Sequence, residues 1–267
     1  MDVAYAWDTG LMRKLNEDTV LYSLFDLRSH LGEVRAGLFT VADGMGGHNA
    51  GEIASDLAVR TFHIACTGGL LAPSPTAPLS IMSEAFNRAN SAVLEAAQDS
   101  SMEGMGTTLT STLIIGQDMY ITHIGDSRCY IISEHETLQV TTDHSVVQQM
   151  IDAGLITPEQ ARSHPRRNEI TRSLGYSRSY TPDLRHVKLY AGDNILLCSD
   201  GLCGVLPDDR IAATVLESPS LKQAAADLAS LANLSGGPDN ISVILVRPSG
   251  LPSWQAITSA QTGIRIK

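Results

Sequence analysis

Four aspartates stand where an apolar run meets a glycine-containing turn. Asp43 closes "GLFTVAD" before "GMGGH", Asp126 follows "MYITHIG", Asp200 follows "NILLCS", and Asp239 precedes "NISVILV". A lone Asp–Gly is ordinarily a turn, because Asp bonds its own backbone there. Several at strand ends have a second reading, since a layered sheet gathers strand ends along one rim. Gathered carboxylates repel: a pair about 4 Å apart at an effective dielectric near 20 costs on the order of 4 kcal/mol. Such a cluster needs cations. Oxygen ligands without Cys or His favour hard ions such as Mg²⁺ or Mn²⁺ over zinc. The glycines after Asp43 also let a metal, a phosphate or another strand approach the backbone closely.

Other chemistries have weaker support. Cys66, Cys129, Cys198 and Cys203 fall at unrelated spacings in apolar surroundings, which reads as buried free thiols. None has an Arg six residues on, as a cysteine-nucleophile phosphatase would, and no G-x-S-x-G elbow is present. The net charge is −10, without a basic block, which argues against nucleic acid or an anionic membrane as partner. No apolar run reaches the roughly 18 residues of a membrane span. The opening "MDVAYAWDTG" lacks the regions of a signal peptide, so a cytoplasmic location is expected.

The elements that must position these aspartates come in blocks. Residues 3–9, 18–25 and 34–42 read as strands, 51–66 and the stretch "APLSIMSEAFNRANSAVLEAAQ" as helices, with a Pro-rich loop between them. Leu79, Met82, Phe86, Ala89, Val93 and Leu94 give the second helix its apolar spacing. "TLTSTLIIGQDMYITHIGDSRCYIISEHETLQVTT" reads as a meander, followed by a helical insert over about 145–175. Strands return at 184–190, 194–199 and 241–247, around helices near 208–217 and 220–234. Such blocks predict an α+β fold of antiparallel sheets layered with helices, in one domain. Residues 248–267 read as a peripheral tail.

In order along the chain, "RKLNEDT", "VADGMGGH", "GMGTTLTSTL", "HIGDSRCY", "TTDHS", "ITPEQARSHPRRNEITRSLG", "LLCSDGL" and "GGPDNISVILV" together resemble the metal-dependent Ser/Thr protein phosphatases of type 2C, in their bacterial branch. The likeness covers roughly residues 3–247. It implies a four-layer α/β/β/α sandwich of two antiparallel sheets flanked by helices, with 1–247 as the catalytic domain and a flap over 145–182. It further implies two Mn²⁺ or Mg²⁺ ions: Asp43 bridging them, the Gly44 carbonyl on one, Asp200 and Asp239 on the other. Asp126 would hold a third, weaker ion, with the backbone of Asn168 a further candidate there. Asp18 would hold water from behind the ligands, and Arg13 would bind the substrate phosphate, which suits its guanidinium fork. Asp43 and Arg13 are thus the expected catalytic residues, with a metal-bridging hydroxide attacking phosphorus in line.

The same likeness implies a monomer acting on phosphoproteins, opposing a bacterial Ser/Thr kinase. A binding module that has lost its metals is a second reading, although every matching acidic position is kept. A hydrolase of small phosphate esters is a third, because it would share the site. One departure stands out. Eukaryotic members carry His directly after Asp–Gly as a proposed general acid, whereas this chain has Met45, with His48 nearby. The flap carries Arg162, His164, Arg166, Arg167, Arg172 and Arg178, which reads either as a solvated helical surface or as a contact face for an acidic phosphopeptide.

Overall fold

A computed structural model describes residues 1–29, 32–46 and 50–253. One antiparallel sheet runs in the order β1 (Asp2–Asp8), β11 (Ile241–Arg247), β10 (Asn194–Cys198), β7 (Arg128–Ile132), β8 (Thr137–Gln139). The other runs β2 (Asp18–Ser29), β3 (Gly32–Met45), β5 (Leu109–Ile115), β6 (Asp118–Ile124), β9 (Asp183–Lys188), with the short β4 (Gly106–Thr107) added on β3. Helices α1 (Gly51–Leu70) and α2 (Pro78–Ala96) cover the second sheet. Helices α5 (Asp200–Cys203), α6 (Asp208–Glu217) and α7 (Leu221–Leu234) lie on the side of the first.

Period-two alternation explains the layering, because successive strand residues face opposite sides. Leu196, Val243 and Leu245 face the helices of their sheet, while Leu197, Ile244 and Val246 face the other sheet. Across the gap, Phe39 and Val41 face inward and Leu38 faces α1 and α2. Each large side chain fully buried in these layers is worth roughly 1.5–3 kcal/mol. The expected four-layer α/β/β/α sandwich is therefore what forms.

The inner layer changes character at one end, and there the site arises. Continuing two residues at a time, Phe39 and Val41 lead to Asp43, and Val20 leads back to Asp18. Leu197 leads to Ser199, and Ile244 leads back to Ser242 and Asn240. Asp18, Ser199, Ser242 and Asn240 are all buried. The inter-sheet core thus ends in a polar floor.

Several expectations need correction. The meander is not continuous: β6 pairs β5 and β9, whereas β7 pairs β10 and β8, so the chain changes sheet at Gly125–Ser127. Gly125, at φ +106°, makes that change, and its Cβ would stand 2.5 Å from the Thr108 side chain. Asp43 lies two residues inside β3 rather than at its end, because β4 extends the pairing to Met45. The insert is helical only in α3 (Val146–Asp152) and α4 (Pro158–Arg162); Pro165 and Gly175 (φ +84°) fall in the non-helical remainder. The first helix runs on to Leu70, since Gly69 lets it touch α2, where a Cβ would be 2.7 Å from Ile81. Of the tail, Leu251 packs on the inter-sheet core and the Pro252 carbonyl accepts from the Ala191 amide (2.9 Å), so this part is docked. Residues 254–267 and His48 lie outside the described residues. Among those described, no helix is long and apolar enough to cross a membrane.

Candidate metal centre

Asp18 and Asp43 are direct cross-strand partners, which brings two carboxylates onto the polar floor. The Asp18 Oδ2 accepts from Ser199 Oγ (2.7 Å), and Ser199 Oγ in turn accepts from the Ser242 amide (3.0 Å). The Asp43 backbone is gripped on both sides. Its amide donates to Thr108 Oγ1 (2.8 Å), and its carbonyl accepts from Thr107 Oγ1 and the Thr108 amide (both 2.9 Å). Gly44 follows in a place closed to any side chain, where a Cβ would stand 2.0 Å from the Gly51 carbonyl oxygen. Asp200 opens α5 directly after β10, and its neighbour Gly201 is crowded in the same way by the Asn240 carbonyl at 1.9 Å. Asp239 precedes β11 and accepts a 2.7 Å bond from Arg13.

A cleft of about 300 Å³ is lined by Arg13, Asp43, Gly44, Asp126, Asp200 and Asp239, together with Glu17, Met45, Gly46, Asn168 and Ile170. Asp18 lies buried beneath it. Every expected site residue is therefore gathered at one end of the sandwich. A second cavity of about 310 Å³ shares Asp126, Asn168 and Asp200 with the first and opens between flap and core.

The electrostatics of the cluster are unbalanced. Burial first, and repulsion from Asp200 and Asp239 after it, push the Asp18 proton up to about 7, despite the bond from the Ser199 hydroxyl. Burial, then Asp239, hold Asp200 up at about 6. Asp43 and Asp126 are raised well above the usual carboxylate range, by burial first and neighbouring aspartates second. Asp18 Oδ1, Asp126 Oδ1 and Asp200 Oδ1 are buried without a hydrogen-bond partner, and orphans of that kind call for an explanation. As arranged, no three His, Cys, Asp or Glu side chains among the described residues close on one point as a metal shell. The carboxylates surround the cleft, and Asp239 is turned onto Arg13.

Several residues that hold the site went unread in the sequence: Thr107, Thr108, Ser199, Ser242 and Asn240. Their signal was weak, because a small polar residue in phase with a strand resembles a solvent-facing one. The thiols behave as read. All four are free and buried, and burial pushes Cys66 up to about 12. The flap arginines are largely engaged already. Arg166 pairs with Glu169 (2.6 Å), Arg172 with Asp183 (3.0 Å), and Arg162 donates to the Leu206 carbonyl (3.3 Å).

A model described as Protein phosphatase 2C matches residues 26–234. The chain belongs to that family. Over 241 residues it is 40% identical to the serine/threonine protein phosphatase PstP of Mycobacterium tuberculosis, a match spanning 89% of this chain and 43% of that protein. It therefore spans less than half the length of that relative. Over 246 residues it is 35% identical to the protein phosphatase PhpP of Streptococcus pneumoniae, spanning 92% and 97% of the two chains. A solved catalytic domain of PstP, in complex with two manganese ions, superposes with a TM-score of 0.76 at 36% identity, over 91% of this chain and 96% of that one. The two-sheet sandwich is thus a protein phosphatase 2C fold in shape as well as in sequence.

Proposed function

We propose that this chain is a metal-dependent protein serine/threonine phosphatase acting on phosphoserine and phosphothreonine. The observation that carries the reading is the cleft floor, where buried carboxylates hold raised protons and partnerless oxygens. Such a floor fits hard cations, and the manganese in the PstP catalytic domain agrees with that. Asp43, the Gly44 carbonyl, Asp200 and Asp239 would hold two Mn²⁺ or Mg²⁺ ions, Asp126 a third and weaker one, with Asp18 behind them. Bound there, the ions supply an activated water at neutral pH and positive charge against the phosphoryl oxygens.

The chain's own residues do the rest. Thr107 and Thr108 fix Asp43 through its backbone, which leaves the carboxylate free to face the cleft. Arg13, half-exposed on the rim, keeps N–H groups beyond the one on Asp239 and presents them to a phosphate. Residues 1–247 would form the catalytic unit, with 145–182 as a flap beside the cleft. Arg167 and Arg178, which make no ion pair among the described residues, are the flap cations available to an acidic phosphoprotein. A bacterial Ser/Thr kinase is the expected source of such substrates.

Arg13→Ala tests the reading. It should lower kcat/KM for a phosphothreonine peptide roughly tenfold or more, mainly through KM, because a guanidinium on phosphate contributes about 1–3 kcal/mol. Metal activation and fold should be unchanged. Unaltered kinetics would return Arg13 to an ordinary surface role.

A second expectation concerns pH. Asp18 and Asp200 bind their protons more tightly when folded, at about 7 and about 6, than the roughly 3.9 of an unfolded aspartate. That stabilisation is fully present below about pH 3.9 and is lost as pH rises through 6 to 7. Chelated protein should therefore melt on the order of 5–10 °C lower at pH 7.5 than at pH 5. Added Mn²⁺ should restore most of the difference at pH 7.5. Melting curves with EDTA or Mn²⁺ check this, and a pH-independent Tm in EDTA would refute it.

A further inference from the structure

The loop between β1 and β2 carries Arg13, and its attachment to the core is sparse. Leu11, Met12, Arg13, Lys14 and Leu15 are all exposed. The Leu11 and Met12 amides reach the Gly237 carbonyl at 2.9 and 3.2 Å. Beyond those two bonds, one buried side chain gathers the loop. Asn240 Nδ2 donates to the carbonyls of Thr9 and Leu15, both at 2.9 Å, and Asn240 Oδ1 accepts from the Glu17 amide at 2.8 Å. The two carbonyls can only accept and the amide can only donate, so the orientation of the Asn240 carboxamide is fixed by its partners.

Asn240 is itself held firmly. It is 3% exposed, and Gly201 packs against its carbonyl. The loop begins on Gly10, at φ +76°, where a Cβ would lie 2.2 Å from the Asp239 carbonyl oxygen. Glu17, at the far end, carries the clamp onward, since its carbonyl accepts from the Gly44 amide (3.1 Å) and Ser55 Oγ (2.6 Å). Two consecutive residues therefore place Arg13. Asp239 takes the guanidinium, and Asn240 takes the backbone on either side of it.

We infer that Asn240 is the positioning residue for Arg13, closing the 9–17 loop so that the guanidinium stands at the cleft rim ready for a substrate phosphate. The inference rests on Arg13 being a phosphate ligand. It adds that the precision of that contact is set by the Asn240 carboxamide. Asn240 touches no substrate. Its substitution should act mainly through Arg13, because the Asn240 backbone amide on Asp239 Oδ1 (2.9 Å) and the bonds of the Glu17 carbonyl to Gly44 and Ser55 survive truncation of the side chain.

The experiment combines Asn240→Ala, Arg13→Ala and the double variant in the full chain. Asn240→Ala should raise KM for a phosphothreonine peptide roughly fivefold. The kcat and the Mn²⁺ concentration for half activation should stay nearly constant. On the Arg13→Ala background the same change should move KM less than about twofold, the non-additivity expected of residues that act as one. Independently of turnover and metal, trypsin should cut after Arg13 or Lys14 roughly tenfold faster in Asn240→Ala, because a released loop is more often open to the protease. Should circular dichroism show Asn240→Ala unfolded, Asn240→Ser is measured in its place. An equal KM rise on both backgrounds, or an unchanged cleavage rate in a folded variant, overturns the inference alone. An Arg13→Ala variant with unaltered KM overturns the phosphate reading and the inference together.

Discussion

Asp239→Asn should abolish turnover and leave the protein folded. The carboxylate sits just ahead of β11, with one oxygen on its neighbour's amide and the other on Arg13. An amide can mimic the first contact, so the apolar strand that follows keeps its register and its burial. What disappears is the charge, and with it a ligand of the proposed ion pair and the anchor of the guanidinium tip. A fall in kcat of roughly a thousandfold or more is expected, since losing an ion removes the nucleophile it activates. Asp126→Asn supplies the contrast. Asp126 lies in the sheet-changing turn with one buried oxygen unpaired, and as the proposed ligand of a weaker ion its loss should be milder. More Mn²⁺ should partly refill the weakened site by mass action. Metal titrations of both variants, with circular dichroism beside them, decide. Near-normal activity of Asp239→Asn at low Mn²⁺ would remove that residue from the site.

Gly44→Ala should be strongly damaging although it adds one methyl group. The new methyl would stand 2.0 Å from the Gly51 carbonyl oxygen and 2.5 Å from that of Glu17, and both are backbone atoms. Neither can swing aside as a side chain would. Relief requires β3 or the start of α1 to shift, and Asp43 is carried along with β3. A loss on the order of 2–4 kcal/mol is expected, together with weaker metal activation. Gly68→Ala is the control. It lies within α1 with nothing inside 4 Å of the added carbon, so it should be neutral or slightly stabilising. Urea denaturation of both variants measures the difference, and equal midpoints would show that Gly44 is not confined as described.

The residues that were legible in the sequence are those whose signal is local. Helix α6 spans residues 208–217 as its apolar spacing indicates, and β11 spans residues 241–247 as its largely apolar run does. The aspartates were visible because an acidic residue between an apolar run and glycine is unusual in type and place. The sheet change at Gly125–Ser127 was not visible, since β6 and β7 have the same period whichever sheet they join, and their partners lie far along the chain. Asn240, Ser199 and Thr108 were hidden for a related reason. Their roles depend on which strands face each other across the core, and only the assembled sandwich shows that. The flap was overread as helix because the polar run on either side of Pro165 carries no apolar period to contradict it.

If the carboxylate floor works only with hard cations bound, a metal-activation curve will show it. Hydrolysis of a phosphothreonine peptide is followed in chelator-buffered solutions from excess EDTA to excess Mn²⁺, before and after treatment with a thiol-alkylating reagent. The rate should be at background in chelator and rise to saturation with Mn²⁺. Alkylation should change nothing, because the four cysteines are buried and play no part. Full turnover in excess chelator would rule out a metal requirement.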